Sequence, residues 1–217
     1  MFVGHLAVGL TAKRFAPRAP FVLLFAAPLL LDLIWPVFLL LGWERVAVDP
    51  GNTAFTQLDF VSYPWTHSLL MAFLWGVAAG GLCWALTRDR VATSLVGLGV
   101  VSHWVLDWIS HRPDLPLTPW GVERVGLGLW NSIPGTLIGE GLLFAVGIWV
   151  YLGSTRARSR TGVVAFWSFI AVVTVMWSTS WASPPPPSAK AVAVFAFIVW
   201  LMPAWASWFD RHRDAVV

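Results

Sequence analysis

The chain has 217 residues, of which 58% are hydrophobic and only 12% carry a charge. An ordinary soluble domain has roughly 25% charged residues, so this composition excludes a soluble globular protein and indicates an integral membrane protein. The net charge of +3 comes from basic residues in short loops beside apolar segments, where they determine membrane topology and form no nucleic-acid-binding patch.

Six segments are apolar over the roughly 20 helical residues that a hydrocarbon layer requires. They cover residues 19–42, 66–87, 91–111, 134–152, 162–182 and 189–209. The sequence therefore predicts an all-α polytopic membrane helix bundle that forms a single integral membrane domain over residues 1–217. Residues 1–150 hold the candidate functional residues. The sequence leaves open the role of the last two helices, over 162–209, and the oligomeric state.

The Lys and Arg residues are unevenly divided between the two ends of these segments. Ten lie at one end, namely Lys13, Arg14, Arg18, Arg88, Arg90, Arg156, Arg158, Arg160, Arg211 and Arg213, and four at the other, namely Arg45, Arg112, Arg124 and Lys190. Because basic residues concentrate in cytoplasmic loops, we expect both termini to lie in the cytoplasm. The two longer loops, 43–65 and 112–133, then lie outside, where we expect them to form a lid over the helix ends.

A short apolar segment at the start of the chain ends in Lys13 and Arg14 and is too short to cross the membrane. We expect an N-terminal half-helix that rises from the cytoplasmic face and turns near Pro17 into the first long segment. This antiparallel arrangement places His5 opposite about residue 29, one turn from Asp32.

Three ionisable residues on the third segment, His103, Asp107 and His111, repeat at four-residue spacing. Each step turns about 40° beyond a full helical turn, so the three side chains point into one quadrant at the outer end of the helix. The turn at Asp89 makes this helix antiparallel to the preceding one and places His67 opposite His111, about one turn from Asp107. Imidazole and carboxylate are the ligands of zinc sites that keep a position open for water. The sequence therefore predicts a metal site.

Two further acidic residues belong to the same end of the bundle. Asp32 is flanked by Pro28 and Pro36, so the helix is expected to open around it and line a cavity. Glu140 lies near the outer end of the fourth segment and is in reach of the same cavity. An interhelical hydrogen-bond network is the alternative explanation for these residues. However, burying each ionisable group in a membrane interior costs roughly a few kcal/mol or more. Hydrogen bonds among the members of the cluster do not offset this cost, whereas a bound metal ion supplies a compensating charge.

The motifs around these residues resemble those of a known family. They are Gly4-His5-Leu6-Ala7-Val8-Gly9, Leu31-Asp32-Leu33, Thr66-His67-Ser68-Leu69, Ser102-His103-Trp104-Val105-Leu106-Asp107 with His111-Arg112-Pro113-Asp114, and Val125-Gly126-Leu127-Gly128-Leu129-Trp130-Asn131-Ser132 followed by Glu140. Over about residues 1–150 they resemble the YdjM-like family of bacterial inner-membrane proteins, described as metal-dependent hydrolases. The ligand order is also similar to that of zinc-dependent phospholipase C and the P1-type nucleases, soluble helical enzymes that cleave phosphate esters at a multi-zinc site.

The resemblance implies a set of metal ligands and a location in the bacterial inner membrane. One zinc ion would be held by Asp32, His67, His103 and Asp107, a second with help from His5 and Asp107, and the remaining site would include His111 and Glu140. The soluble enzymes have a histidine four residues before the glutamate, where this chain has Thr136. This departure favours one or two metal ions over three.

Together these features predict a membrane-embedded hydrolase that uses metal-activated water to cleave a phosphoester in a lipid or lipid-linked substrate. The expected cofactor is a divalent metal, preferably zinc, and the expected partners are membrane lipids. Asp32 and Asp107 are the candidate catalytic residues, Asp32 by orienting the water or taking its proton. The alternative is a proton- or metal-ion-coupled transporter that uses the same cluster, although no repeated half is visible. A purely structural metal site is less favoured, because the candidate ligands outnumber the four of a closed zinc site.

Overall fold

Six helical segments are long and apolar enough to cross a membrane. In a computed structural model that describes residues 1–216, they are Phe21–Leu40, Leu69–Thr87, Arg90–Ser110, Ile133–Ser154, Arg160–Ala182 and Ala189–Asp210. The largest difference from the predicted boundaries is three residues, because the second segment begins at Leu69 and was expected from residue 66. The prediction of an all-α polytopic bundle is confirmed.

The helices follow one another with few other regular elements. They are α1 (Val3–Phe15), α2 (Phe21–Ala26), α3 (Leu30–Leu40), α4 (Pro64–His67), α5 (Leu69–Thr87), α6 (Arg90–Ser110), α7 (Ile133–Ser154), α8 (Arg160–Thr179), α9 (Ala189–Ala196) and α10 (Leu201–Asp210). Short 3-10 turns lie at Ala27–Leu29, Leu129–Asn131, Ser180–Ala182 and Phe197–Trp200. Three antiparallel ribbons pair β1 (Arg45–Val48) with β2 (Leu58–Ser62), β3 (Leu115–Pro116) with β4 (Arg124–Val125), and β5 (Thr155–Ala157) with β6 (Arg213–Ala215).

Polar side chains fix where the long helices begin. Ser68, Asp89, Ser132 and Ser159 each accept a hydrogen bond from a backbone N–H in the first turn of the following helix. Such caps satisfy amide groups that have no carbonyl partner within the helix. At Ser68 the backbone is extended, with ψ 151°, and this interrupts the helix that was predicted to run on from residue 66. His67 therefore lies at a junction between two helices.

The first span is broken one turn before Asp32. Helix α2 ends at Ala26, and a 3-10 turn leads into α3. Pro28 lies in this turn; proline has no backbone N–H and its ring clashes with the preceding helical turn. The Pro28 carbonyl is free to accept a hydrogen bond from Nδ1 of His103 at 2.8 Å. The break expected around Asp32 is therefore found at Pro28, where its carbonyl binds His103. Pro36 was expected to open the helix as well, but it lies within α3 and does not interrupt it.

The short helix α1 is the expected N-terminal half-helix, and it lies inside the bundle. Leu6 and Leu10 are fully buried, and the helix packs against α2, α6 and α7. Gly147 of α7 permits the close approach, because a Cβ at this position would lie 2.6 Å from the Cα of Ala7. This packing brings the beginning of α1, with His5, to the helices that carry the other candidate ligands.

The two long loops pack on each other at the end of the bundle that holds the candidate site. The amide of Phe55 donates to the carbonyl of Trp130 at 2.9 Å, and Arg112 Nη2 lies 2.5 Å from Asp59 Oδ1. The Phe60 ring lies against Trp130 with 6.2 Å between centroids. The loops cover the helix ends in the way expected of a lid. Their position outside the cell stays a prediction from the distribution of charge.

The last two spans pack against the first span of the bundle. Helix α10 packs on α8 and α2 through an aromatic cluster in which Phe166, Phe169 and Phe209 are fully buried. Lys13 Nζ lies 2.8 Å from Asp210 Oδ2, which ties α1 to α10. These helices supply a packing surface for α1 and α2, while every predicted site residue comes from the first 140 positions.

Candidate metal centre

Helix α6 supplies the centre of the site. His103 and Asp107 are buried one turn apart, with His103 Nε2 3.1 Å from Asp107 Oδ2. His111 is the first residue after the helix, and its amide still donates to the Asp107 carbonyl at 2.7 Å. Its Nε2 atom consequently lies 3.9 Å from the same Oδ2. The four-residue ladder predicted from the sequence thus converges on Asp107.

A first group of potential ligands combines Asp32, His67 and His103. His67 Nε2 lies 3.5 Å from Asp32 Oδ1 and 3.3 Å from His103 Nε2. The distance from Asp32 Oδ1 to His103 Nε2 is 3.8 Å. The sequence placed His67 opposite His111, whereas the structure places it beside His103, eight residues and about two helical turns away. Its predicted proximity to Asp107 is observed, at 3.9 Å between Nε2 and Oδ2. The three ligand atoms lie within 4.8 Å of one another, close enough to share one ion.

A second group combines His5, His103 and Asp107. His5 Nε2 lies 3.1 Å from Asp107 Oδ1, and its ring stacks on that of His103 with 3.8 Å between centroids. The amino group of Met1 contacts the same Oδ1 atom. Because His103 belongs to both groups and Asp107 has one oxygen towards each, the two groups overlap.

The hydrogen bonds around two histidines determine which nitrogen faces the cluster. A carbonyl oxygen only accepts, so the contact of His103 Nδ1 with the Pro28 carbonyl requires a proton on Nδ1. His111 Nδ1 lies 3.0 Å from Asp114 Oδ1, which also accepts. In the neutral rings the lone pairs on Nε2 then point towards Asp107. Acceptors that face one another at 3.1–3.9 Å repel, and a metal ion among them would remove this repulsion, as the N-terminal ammonium does at Asp107 Oδ1. This set of ligand atoms therefore fits a metal ion.

Glu140 comes from α7 and anchors the beginning of α1. Its Oε2 atom accepts the backbone amides of Phe2 at 2.9 Å and Val3 at 3.1 Å, and Oε1 accepts the indole N–H of Trp130 at 3.2 Å. Glu140 belongs to neither group of ligand atoms that lie within 4.8 Å. Its role as a metal ligand stays a prediction, whereas its contacts hold the helix that carries His5.

Several polar residues around the cluster were not identified as candidates from the sequence. Asp114 accepts from Tyr63 Oη at 2.8 Å as well as from His111, and Glu44 accepts from α4. Burial alone raises the pKa of Asp114, but the hydrogen bonds and charge of His111 and the hydroxyl of Tyr63 bring it below its ordinary value. Burial raises the pKa of Glu44 above its ordinary value, although His67 and the hydrogen bonds from α4 oppose the shift. Asp114 lies three residues after His111, but a proline ends the helical pattern between them, and Glu44 has no candidate ligand at helical spacing.

The cluster is open on one side. The Asp32 side chain is 27% exposed, whereas those of His5, His67, His103 and Asp107 are at most 6% exposed. Water or a substrate group can therefore approach along Asp32, while the other potential ligands are enclosed by protein.

Comparison with known proteins agrees with the resemblance seen in the motifs. The model of the YdjM inner membrane protein family matches residues 1–184, a range that holds every candidate ligand and five of the six candidate spans. No curated protein and no solved structure matches the chain. The match and the six spans identify a multi-pass protein of the inner membrane. The chain belongs to the YdjM inner membrane protein family.

Proposed function

We propose that this protein is a membrane-embedded hydrolase that uses a divalent metal to cleave a phosphoester in a lipid or lipid-linked substrate. The observation that carries the proposal is the pair of overlapping ligand groups on α1, α3, α4 and α6, which share His103. Imidazole nitrogens and carboxylate oxygens suit zinc and related divalent ions. Such an ion supplies a water of lowered pKa and positive charge for the phosphoryl oxygens.

The surroundings of the two aspartates suit them to different tasks. Asp107 contacts His5 and His103 at 3.1 Å and is enclosed, so it serves as the shared ligand. Asp32 is partly exposed, so one of its oxygens can orient a water molecule or take its proton while the other faces His67. Since general bases act at hydrogen-bond distance, this assignment requires the reacting phosphate to enter beside Asp32.

The membrane location selects amphiphilic substrates, because a head group can meet the cluster while its chains stay in lipid. A cavity of about 610 Å³ lies beside Trp130, the residue whose indole donates to Glu140. Among residues 1–216, no Lys, Arg, Asp or Glu side chain lines this cavity. Its lining suits an uncharged portion of a head group, with the phosphate then left for the metal cluster.

The proposal is tested with purified protein in nanodiscs made from bacterial inner-membrane lipids. The release of phosphate or of a phosphorylated head group is monitored by ³¹P NMR. It should stop when a chelator removes the metal and return when zinc is added. Asp32→Asn should abolish the release. Asp89→Asn is the control, because Asn caps a helix about as well as Asp and Asp89 caps the N-terminus of α6, 14 residues before His103. If the zinc-loaded protein cleaves neither these lipids nor bis(p-nitrophenyl) phosphate, the proposal is refuted.

A transporter is the second candidate, and one observation favours it. The first span is broken at Ala27–Leu29, beside the cluster, and broken helices are typical of transporters that bind ions near the middle of the membrane. The two functions differ in how the ion is held. A catalytic metal stays bound in fixed stoichiometry through purification, whereas a transported ion exchanges with a radioactive isotope across proteoliposomes.

A further inference from the structure

Glu44 is a buried acidic residue whose contacts are directed at α4. It is 2% exposed, and within residues 1–216 no Lys or Arg nitrogen lies within 4.0 Å of it. Its Oε1 atom accepts the amides of Trp65 at 2.9 Å and Thr66 at 2.8 Å, and Oε2 accepts the Thr66 hydroxyl at 2.7 Å. Three donors therefore converge on the Glu44 carboxyl group, which in its ionised form only accepts.

The Thr66 hydroxyl connects Glu44 to His67. Thr66 Oγ1 lies 2.6 Å from His67 Nδ1. A threonine hydroxyl has one proton to donate, and in this structure that proton is directed to Glu44 Oε2. Thr66 Oγ1 must then accept from His67, so the ring proton lies on Nδ1. This leaves a lone pair on His67 Nε2, the atom 3.5 Å from Asp32 and 3.3 Å from His103.

We infer that Glu44 and Thr66 are positioning residues that hold His67 in the tautomer required for metal binding. The inference rests on the metal centre of the proposed function but not on the reaction. Hydrogen bonds from a ligating histidine to a carboxylate, carbonyl or water fix its orientation and tautomer, and their loss typically weakens metal binding about 10- to 100-fold. With the Nδ1 contacts of His103 and His111, three histidines then present Nε2 to the cluster.

The direction of the hydrogen bonds makes Glu44→Gln more informative than a truncation. The Gln carbonyl can still accept from the amides of Trp65 and Thr66, which leaves its NH₂ group facing Thr66 Oγ1. The Thr66 hydroxyl then has no acceptor at position 44 and turns to His67 Nδ1. This reversal moves the ring proton to Nε2, where it blocks the lone pair that would bind the metal.

Cobalt(II) titration of the full-length protein in nanodiscs measures the effect on metal affinity. Glu44→Gln should bind cobalt about 10- to 100-fold more weakly than the wild type, and Thr66→Val, which removes the connection without reversing it, should have a smaller effect. Thr66→Ser keeps the hydroxyl and should bind cobalt with wild-type affinity. Glu123→Gln, at an exposed loop position, is the matched control and should change nothing. Thermal unfolding of each variant shows whether the fold is retained.

The tautomer itself is read from ¹⁵N chemical shifts of the histidine rings in the metal-free protein, with the His67 signals assigned by their loss in His67→Asn. We expect a protonated Nδ1 in the wild type and a protonated Nε2 in Glu44→Gln. Unchanged cobalt affinity, or lowered affinity with an unchanged tautomer, overturns the inference. A wild-type protein that binds no cobalt overturns the metal centre together with the inference. A protein that behaves as expected here but hydrolyses no phosphoester refutes the proposed reaction alone.

Discussion

Replacing Asp107 with Asn should remove most of the metal affinity while leaving the fold in place. The carboxylate lies 3.1 Å from both His5 and His103 and 3.9 Å from both His67 and His111, so it lies within 4 Å of all four imidazoles. Two unit charges about 4 Å apart interact by about 4 kcal/mol at an effective dielectric constant near 20. This energy corresponds to roughly a thousand-fold change in metal affinity. A divalent ion doubles the electrostatic attraction to the carboxylate, and this extra attraction offsets the cost of desolvating the ion.

The assay compares cobalt or zinc affinity of the wild type, Asp107→Asn and the control Asp89→Asn by competition with a chelator of known strength. The six spans do not depend on Asp107 for their apolar contacts, so thermal unfolding of the metal-free proteins should be similar. A decrease of at least about a thousand-fold is expected for Asp107→Asn alone. Affinity within about tenfold of the wild type would mean that Asp107 is not a ligand and would refute the reasoning.

Two further predictions concern packing and topology. Gly147→Ala should push α1 away from α7 and lower cobalt affinity, because the new Cβ would lie 2.6 Å from the α1 backbone. The control is Gly153→Ala on the same helix, where nothing lies within 4 Å of the added Cβ, and it should leave the affinity unchanged. Equal cobalt affinities of the two variants would show that the position of α1 does not affect metal binding. For topology, single cysteines replace Val122 and Arg158, both exposed, in a Cys83→Ala background. In intact cells a membrane-impermeant thiol reagent should label position 122 only, whereas labelling of position 158 alone would invert the orientation.

Regular periodicity allowed much of the site to be predicted from the sequence. Four-residue spacing on a helix places His103, Asp107 and His111 on one face whatever the surroundings. The antiparallel turn near Asp89 was sufficient to bring His67 near Asp107. The turn near Pro17 placed His5 beside Asp32, and its contact with Asp107 was implied by the family resemblance alone. The inferences from spacing and turns need only helical geometry and chain direction, and the six apolar spans follow from composition over about 20 residues in the same way.

Features that depend on irregular backbone were beyond such reasoning. The extended conformation at Ser68 ends α4 early and turns His67 towards His103. Glu44 reaches α4 from the segment between α3 and β1, 22 positions from Thr66, and no repeat connects the two. Glu140 was expected near the cluster, yet its contacts with the first amides of α1 depend on how α1 packs against α7. In each case tertiary contacts determine where the side chain lies, and such contacts leave no periodic pattern in the sequence.

The most direct test of the metal centre is anomalous scattering from crystals of the purified protein, recorded at the zinc absorption edge together with metal analysis of the same sample. We expect one or two ions at the cluster, about 2.0–2.2 Å from the ligand nitrogens and oxygens of His67, His103 and Asp107. A fully folded protein with no anomalous peak there after equilibration with zinc, or with His103 and Asp107 turned to lipid, would contradict it.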